Sequence, residues 1–409
     1  MRKLLMKVGV PVTAGAMMLA GFTSVAGAVA RHPAATMKPT FDIAYEGPLS
    51  GGNAQLGLNM EYSVEYAVNQ ANSGMSQFGK LPFTLAFVRK DDQGSGTISP
   101  TDAQELVSDS SVVGVVGPAF SAAVQAAEPT FSSHDLATVS PSATGVKLAS
   151  YGWKNFFRVV ADDGIQAPAD ANWVIQKLGL KDLYVVNDAT VYGLGLADAF
   201  ATQAKKDGAS VTATAFPGTS QCSDGTASPT QYTADAADVM TAKPKPQLIF
   251  YGGYYCDLGL LLGALHSAGY KGKVMSGDGS DSIALVADTN PHSAANGVFA
   301  SCGCAALGTS KADKAFAAGF KALAHFAPAI YSAEAFDAAN TIIAELKILA
   351  SAKGGTANIT RENVVKGLHT IVFHGITKII SFQANGNIAG SAIYANQVQN
   401  GKLVQLGLE

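Results

Sequence analysis

Short apolar runs and amphipathic stretches alternate along most of this chain, and that alternation constrains the fold more than any other feature. The run FDIAYEG (41–47) is followed by apolar residues at helical spacing in LGLNMEYSVEYAVNQANSG (56–74), and VVGVVG (112–117) is followed by SAAVQAAEPTFSSHD (121–135). The same order recurs to about residue 300. Strands that alternate with helices form parallel sheets covered by helices on both faces. We therefore predict an α/β fold built from doubly wound parallel sheets.

The length of the chain requires two such sheets. Its 409 residues are more than a single hydrophobic core usually holds. The hydrophobic fraction of 48% and the charged fraction of 14% are typical of a globular chain and exclude a disordered one. The formal net charge of −3 leaves no basic face to favour nucleic acid. No low-complexity linker separates the two halves, so we expect the two lobes to be joined by several strand-like crossings.

The first 30 residues have the three-part order of a secretory signal peptide. The basic segment MRKLLMK (1–7) precedes a weakly apolar stretch, and the small-residue run AGAVA (26–30) offers cleavage after Ala28 or Ala30. The alternative is a membrane anchor, which Pro11 and several glycines disfavour. No cysteine near the cleavage site could carry a lipid. We therefore expect an exported protein of a bacterial periplasm, not lipid-anchored, and no later run has the length of a membrane span.

Four cysteines lie in the second half of the chain, which in an oxidising compartment suggests disulfides. Four cysteines allow three pairings. Cys222 and Cys256 each follow a predicted strand end, so we pair them. Cys302 and Cys304 are expected on the same face of a strand, where a bridge would be strained, and their state is left open. We predict no zinc site, because no histidine or second cysteine pair has ligand spacing.

Polar residues follow several of the predicted strands, and parallel sheets bind ligands beyond the carboxyl ends of their strands. Hydroxyls and backbone N–H groups suit a carboxylate, a carboxylate suits an ammonium group, and aromatic rings suit an apolar side chain. The set therefore predicts a site for a small zwitterion. Its members are Ser50, Gly51, Ser121, Ser142, Ala143, Thr144, Tyr192, Tyr254 and Asp278.

Ser121, at the start of the helix after VVGVVG, has two interpretations. One is an N-cap, whose hydroxyl accepts a backbone N–H of the first helical turn. The other is a ligand contact, in which the hydroxyl and the helix N–H groups face an anion. The paired acids Asp91 and Asp92 are expected to be structural and to bind the turn after the second strand.

Seven motifs then occur in an order similar to that of the periplasmic leucine/isoleucine/valine-binding proteins, over about residues 41–400. These are the type I substrate-binding components of branched-chain amino acid ABC transporters. The motifs are GPLSGGNAQLG (47–57), Asp91-Asp92, VVGPAFS (115–121), VSPSAT (139–144), VYGLG (191–195), YGGYY (251–255) and SGDGS (276–280).

The resemblance implies two α/β lobes joined by three crossings, which close on a hinge over an amino acid. It divides the chain into a signal peptide (1–30), lobe one (31–160 plus 301–380) and lobe two (161–300 plus 381–409). It further implies delivery of a branched-chain or other apolar amino acid to a membrane permease. We expect a monomer that needs no cofactor.

The resemblance also assigns roles to individual residues. Ser121 and Thr144 correspond to the groups that hold the ligand carboxylate, with Ser142 and Ala143 on the same loop. Tyr192 and Tyr254 resemble the aromatic residues that close over the ligand. Asp278 corresponds to the acid that binds the ammonium group, and Tyr331 to an aromatic that lines the side-chain pocket.

Two departures from the family pattern bear on specificity. Leu56 replaces a common aromatic, and Asp278 is a methylene shorter than the glutamate often found there. Both changes leave an amino acid plausible as ligand and leave its side chain open. In addition, Gly94 and Phe120 stand where some members of the family carry a cysteine pair in the first lobe.

The sequence offers no support for catalysis. It has no G-x-S-x-G elbow, no H-E-x-x-H, no G-x-G-x-x-G after the first strand and no phosphate loop. Two other functions remain open: binding of an amide, urea or small aromatic acid, and an extracytoplasmic ligand sensor. An aromatic acid has no ammonium group, so a role for Asp278 in binding would count against it.

Overall fold

The computed structural model describes residues 38–215, 222, 229–304, 307–308 and 310–409. The predicted signal peptide lies outside these residues. Fourteen strands form within them: β1 (Thr40–Gly47), β2 (Thr84–Asp91), β3 (Val112–Val116), β4 (Thr138–Ser140), β5 (Phe156–Arg158), β6 (Asp182–Asn187), β7 (Ser210–Ala215), β8 (Leu248–Gly252), β9 (Lys273–Ser276), β10 (Phe299–Cys302), β11 (Phe373–His374), β12 (Ile379–Ile380), β13 (Tyr394–Gln399) and β14 (Lys402–Leu408).

Eleven α-helices accompany the strands in the described part of the chain: α1 (Ala54–Ser73), α2 (Ser99–Ser108), α3 (Ser121–Ser133), α4 (Asp163–Asn172), α5 (Val191–Lys206), α6 (Pro229–Thr241), α7 (Tyr255–Ser267), α8 (Ala284–Asp288), α9 (Lys311–Ala324), α10 (Ser332–Ser351) and α11 (Arg361–Leu368). None of the helices in these residues combines the length and the apolar character needed to cross a membrane.

The strands form two large sheets, as the βα alternation predicts. The first sheet has the order β2-β1-β3-β4-β5 with all strands parallel. The second sheet has the order β14-β13-β10-β9-β8-β6-β7. Its five strands β6, β7, β8, β9 and β10 are parallel to one another. Every residue of β3 and β8 is buried, which is typical of parallel strands with helices on both faces.

The chain passes between the two lobes three times. It leaves the first sheet after β5, and α4 then packs on α5 of the second lobe. It returns after β10, since α10 packs on β3 and β4, and it crosses again after β12 to add β13 beside β10. This confirms the predicted two-lobed fold. We retain as a proposal the division of the lobes at residues 160, 300 and 380.

The apolar runs from ISFQANG (380–386) through SAIYANQVQNGKLVQL (391–406) predict a C-terminal hairpin, and the hairpin in the structure is shorter. Strands β13 and β14 pair antiparallel, but the preceding segment from Ile380 to Gly386 lies outside this hairpin. Strand β12 pairs with β11 in a separate two-stranded sheet, and Phe382 bridges to Ile388. The alternation of apolar residues was similar in both segments, so the pattern did not distinguish their partners.

Both cysteine pairs form disulfides. Cys222 and Cys256 are bonded, with their Cα atoms 5.9 Å apart, which confirms the predicted pairing. Cys302 and Cys304 are also bonded, with Cα atoms 5.0 Å apart. The prediction that both lie on one face of a strand was wrong, because β10 ends at Cys302 and Cys304 lies in the bend beyond it.

A fully buried acid, Glu128, ties α3 to the first sheet. Its carboxyl group contacts the Thr138 hydroxyl at 3.0 Å and the Asn155 side-chain amide. Burial raises the pKa of Glu128 to about 8, and the two hydrogen bonds act in the opposite direction. The group is therefore protonated at neutral pH.

This raised pKa makes stability depend on pH. The folded state holds the Glu128 proton more tightly than the unfolded state, so the contribution is complete below the unfolded pKa and is lost as pH rises through about 8. Between the unfolded-state pKa and about pH 8, this group lowers the unfolding free energy of the natural protein by up to about 1.4 kcal/mol per pH unit. We expect Glu128→Gln, which imitates the protonated acid, to lack that decline. Urea titrations from pH 5 to 9 measure this, and parallel pH profiles of the two proteins would contradict it.

Candidate functional site

Polar loops from both lobes meet between the two sheets, at the carboxyl ends of the strands. Lobe one contributes the loops after β3 and β4, and lobe two contributes those after β6, β8 and β9. Tyr331 joins them from the segment before α10. Ser50 and Gly51, which the sequence analysis included in the site, are exposed. The other site residues named from the sequence are buried: Leu56, Ser121, Ser142, Ala143, Thr144, Tyr192, Tyr254, Asp278 and Tyr331.

Ser121 is not an N-cap. The cap of α3 is Phe120, and Ser121 is the first helical residue. The Ser121 Oγ instead accepts the backbone N–H of Gly145 at 3.0 Å. Since this bond uses the oxygen as acceptor, the hydroxyl hydrogen remains available to donate to an anion. The structure thus contradicts the capping interpretation, and the ligand-contact interpretation stays a prediction.

The loop after β4 is held by hydrogen bonds from inside lobe one. The Ser142 hydroxyl donates to the Ala119 carbonyl at 2.7 Å, and the Ser140 Oγ accepts the Ala143 N–H at 3.0 Å. The fully buried Arg158 donates to the Ala143 and Gly145 carbonyls at 3.2 and 2.9 Å. The Ser142 hydroxyl is therefore occupied in fixing the loop.

The aromatic residues of lobe two stack on each other and on lobe one. The Tyr254 ring lies 4.3 Å from the Phe120 ring, nearly parallel to it, and 5.1 Å from the Tyr192 ring. Gly94 makes room for Phe120, because a Cβ at Gly94 would lie 2.6 Å from that ring. The two residues that replace the family's cysteine pair thus pack together, and Phe120 extends the aromatic wall across the cleft.

Asp278 of lobe two accepts hydrogen bonds from two tyrosines, Tyr192 of the same lobe and Tyr331, which follows the second crossing. The Tyr192 hydroxyl donates to Asp278 Oδ1 at 2.8 Å, and the Tyr331 hydroxyl donates to Oδ2. Tyr331 has a left-handed backbone (φ 65°), unusual for a residue with a side chain. Burial raises the pKa of Tyr192 and Tyr331 well above the usual value, so both phenols remain protonated donors.

A second carboxyl group, Asp163, faces the same site and was missed in the sequence analysis. It is fully buried at the first turn of α4. Burial is the main cause that raises the pKa of Asp163, and the nearby Asp278 carboxyl raises it further. The nearby Thr144 hydroxyl acts to lower the pKa of Asp163. Neither Asp163 oxygen makes a hydrogen bond of ordinary geometry within the described residues. Two buried carboxyl groups therefore share one small site.

The strand-end argument itself would have found Asp163 and Arg158. Both lie at or just beyond the end of β5, which is only three residues long. From the sequence alone, FFRVVADD (156–163) resembles a lead into the following helix more than a strand with its own strand-end loop. The shortness of the strand concealed the signal.

Three other residues considered from the sequence have clear positions. Asp91 is structural, as expected: its carboxylate accepts the Gln93 N–H of the turn after β2 at 3.1 Å. It also accepts the Leu49 N–H at 2.8 Å and the Ser50 hydroxyl at 2.7 Å in the turn after β1, which the sequence analysis did not predict. Ser50 is therefore committed to that turn. Leu56 is fully buried near the start of α1.

The lobes touch at the mouth of the cleft. The Tyr255 hydroxyl of lobe two donates to the Gly52 carbonyl of lobe one at 2.8 Å. A Cβ at Gly52 would lie 2.2 Å from the Cys222 carbonyl oxygen and 2.9 Å from Cys256 Sγ. The structure is thus a closed arrangement in which only glycine fits at residue 52.

We expect Gly52→Ala to oppose closure without touching the ligand site. The added methyl group meets backbone of the other lobe, and such overpacking costs about 1–3 kcal/mol, or roughly 5- to 150-fold in affinity. Calorimetric titration with the ligand measures the loss, and thermal unfolding of the ligand-free protein is the control. Unchanged affinity would show that closure does not require this contact.

The fold and the buried cleft define a two-lobed α/β solute-binding protein. A family model described as periplasmic binding protein matches residues 40–402. The chain belongs to this family.

Named relatives agree with that assignment. A leucine-, isoleucine-, valine-, threonine- and alanine-binding protein of Pseudomonas aeruginosa is 26% identical over 378 residues, covering 91% of each chain. Leu/Ile/Val-binding protein homolog 3 of Brucella melitensis is 30% identical over 233 residues, and the match spans 57% of this chain and only 59% of that protein. The structure of LivJ from Streptococcus pneumoniae in complex with isoleucine superposes with a TM-score of 0.77 at 23% identity, covering 90% of this chain and 99% of that one.

Proposed function

We propose that this protein captures a small apolar amino acid, with a branched-chain side chain as the first candidate, and presents it to an ABC transporter permease. One observation carries the proposal. Lobe one presents the Ser121 hydroxyl and the loop of Ala143 and Thr144, and two buried carboxyl groups lie next to that loop: the Thr144 hydroxyl and the Asp278 carboxyl both act on the pKa of Asp163. Donors and carboxyl groups in one buried site suit the two charged ends of a free amino acid.

The carboxylate end of the ligand is assigned to lobe one. The Ser121 hydroxyl hydrogen is available at the start of α3. Ala143 and Thr144 lie on a loop that Arg158 and Ser140 hold in place. Rigid donors lose little entropy when an anion binds, and charge-assisted hydrogen bonds are stronger than neutral ones.

The ammonium end is assigned to Asp278, with Asp163 beside it. Two carboxyl groups that repel each other in a buried site gain from a cation placed between them. The Tyr192 and Tyr331 hydroxyls already donate to Asp278, so its oxygens are oriented before the ligand arrives. We assign the apolar side chain to the wall formed by Tyr254, Tyr192 and Phe120, with Leu56 and Tyr331 completing the pocket.

The proposal extends to where the protein acts. Membership of the periplasmic binding protein family, together with the N-terminal sequence pattern, supports a periplasmic protein exported by a cleaved signal peptide. We propose that it acts as a monomer, without a cofactor and without catalysis, and that a permease recognises the closed shape.

A thermal-shift screen tests the proposed ligand class. The protein is unfolded and refolded to remove carried ligand, and is then heated with the twenty amino acids, simple amides, urea and benzoate. A ligand at about a thousand times its Kd adds roughly 4 kcal/mol, enough to raise Tm by several degrees. We expect shifts with aliphatic amino acids. Shifts only with amides, urea or benzoate would overturn the assigned ligand class.

We expect Ser121→Ala to weaken amino acid binding by about 1–3 kcal/mol, because a buried carboxylate then lacks a hydrogen-bond partner. Folding should be preserved, since the lost bond to Gly145 is a single contact at the edge of the loop. Calorimetric titration measures the affinity. Ser133→Ala, an exposed change at the other end of α3, is the matched control. Equal affinity in all three proteins would remove Ser121 from the site.

A further inference from the structure

We propose that Cys302, Cys304 and Asp281 form a site for a thiophilic divalent cation, Zn²⁺ in particular, when the Cys302–Cys304 disulfide is reduced. The site lies beside the second crossing between the lobes and borders the proposed amino acid site, because Tyr331 lines the cavity next to it. The sequence analysis predicted no zinc site because it considered histidine and cysteine spacing alone. The third ligand is a carboxylate from a turn 21 residues earlier in the chain.

The geometry of the three residues suits a metal ion. One ligand atom from each lies within 4.8 Å of the other two. Zn²⁺ binds thiolates at about 2.3 Å, so two thiolates on a tetrahedral ion stand about 3.8 Å apart. Reduction frees the sulfurs to reach that separation. All three residues are buried.

Asp281 has an oxygen to offer. Asp281 is only 7% exposed, and its Oδ1 has no hydrogen-bond partner among the residues that the structure describes. The other oxygen, Oδ2, accepts the Asn396 side-chain amide at 2.8 Å. An outer hydrogen bond that orients a ligating carboxylate is a regular part of metal sites. A buried unpaired carboxylate oxygen otherwise costs free energy.

One of the two sulfurs accepts a backbone hydrogen bond. The Cys304 backbone N–H points to Cys302 Sγ at 3.1 Å, and hydrogen bonds to sulfur stabilise negative charge there. A cavity of about 230 Å³ adjoins the group and is lined by Asp281, Cys304 and Asn396. It gives a small reductant access and leaves room for a water molecule as fourth ligand.

This disulfide also contributes little as a structural link. It closes a loop with a sequence separation of 2, whereas the Cys222–Cys256 bond has a separation of 34. The entropic stabilisation from a disulfide grows with loop length, so a bond across one residue restrains the unfolded chain weakly. Conversion to a metal-bound form therefore sacrifices little stability.

The chemical step balances with a dithiol as reductant. The dithiol transfers two electrons and two protons to the disulfide and becomes a disulfide itself, leaving two cysteine thiols. Zn²⁺ then replaces both thiol protons, which are released to solvent.

The test uses the full chain with Cys222→Ala and Cys256→Ala, so that Cys302 and Cys304 are its only cysteines. The protein is reduced with a phosphine, freed of reductant under nitrogen and titrated with Zn²⁺ against a chromophoric chelator. We expect one equivalent bound by the reduced form and none by the oxidised form. Co²⁺ should give a thiolate charge-transfer band in the near ultraviolet. Asp281→Asn should weaken Zn²⁺ binding at least roughly tenfold, within the range seen when a metal site loses a supporting group.

Two results would overturn the proposal. Equal Zn²⁺ binding by the oxidised and reduced forms places the metal elsewhere, and so does binding that survives Cys302→Ala with Cys304→Ala. If the parent variant does not fold by circular dichroism, the same titration is run on the reduced natural sequence. Its binding is then compared with that of the Cys302→Ala, Cys304→Ala protein, which retains the other cysteine pair.

Discussion

Replacing Asp278 by asparagine is expected to weaken leucine binding by about 2–5 kcal/mol, or roughly 30-fold to several thousandfold, the largest effect of any single change in the cleft. The substitution keeps the size of the side chain and removes its negative charge. A buried ammonium group then has lost its main partner, and the cost of leaving a buried charge unpaired is far larger than that of losing a surface contact. Calorimetric titration with L-leucine measures the change.

A ligand without an ammonium group isolates the cause. The analogue 4-methylpentanoate has the carboxylate and side chain of leucine but no amine, so its affinity should not fall in Asp278→Asn. Asp198→Asn, which removes an exposed charge from α5, is the matched control and should bind leucine as the natural sequence does. If the affinity of Asp278→Asn falls equally for leucine and 4-methylpentanoate, Asp278 supports the pocket and does not bind the ammonium group.

Removing the Cys222–Cys256 disulfide is expected to lower the free energy of unfolding by about 3–4 kcal/mol. The bond spans a sequence separation of 34, and the chain-entropy relation for a loop of that length gives this value. The change is made as Cys222→Ala with Cys256→Ala. Urea unfolding followed by circular dichroism measures it as a lower midpoint.

The second cysteine pair supplies the control. Cys302→Ala with Cys304→Ala removes the same number of sulfurs from a bond that closes a far shorter loop. We expect this variant to lose less than half as much stability. Equal losses in the two double variants would show that side-chain packing, and not the restraint on the unfolded chain, accounts for the effect.

Much of the lobe architecture was predictable because it depends on short-range patterns. The all-apolar β3 and the alternation around it specify buried parallel strands. The motifs after the strands then place Ser121, Tyr192, Tyr254 and Asp278 at one edge of each sheet. The pairing of Cys222 with Cys256 followed from the same argument, since both come after strand ends.

The hydrogen-bond and pairing partners of such residues were harder to predict from the sequence. The hydroxyl of Ser121 binds Gly145 in the next loop, although a serine at a helix start is a common cap. The C-terminal apolar runs looked alike, and only the sheet decided that Tyr394–Gln399 pairs with Lys402–Leu408. Local propensity predicted the kind of element correctly but did not predict which element it pairs with.

The sequence by itself determined the class of fold, the positions of the strand-end loops and the residue types they carry, because steric and burial preferences act within a few residues along the chain. The tertiary structure alone decided that Asp163 faces Asp278, that Tyr331 reaches the same carboxyl group, and that Asp281 lies beside Cys302 and Cys304. These groups are brought together by sheet order and by the crossings between lobes. Their approach depends on how distant segments pack, and no local pattern specifies it.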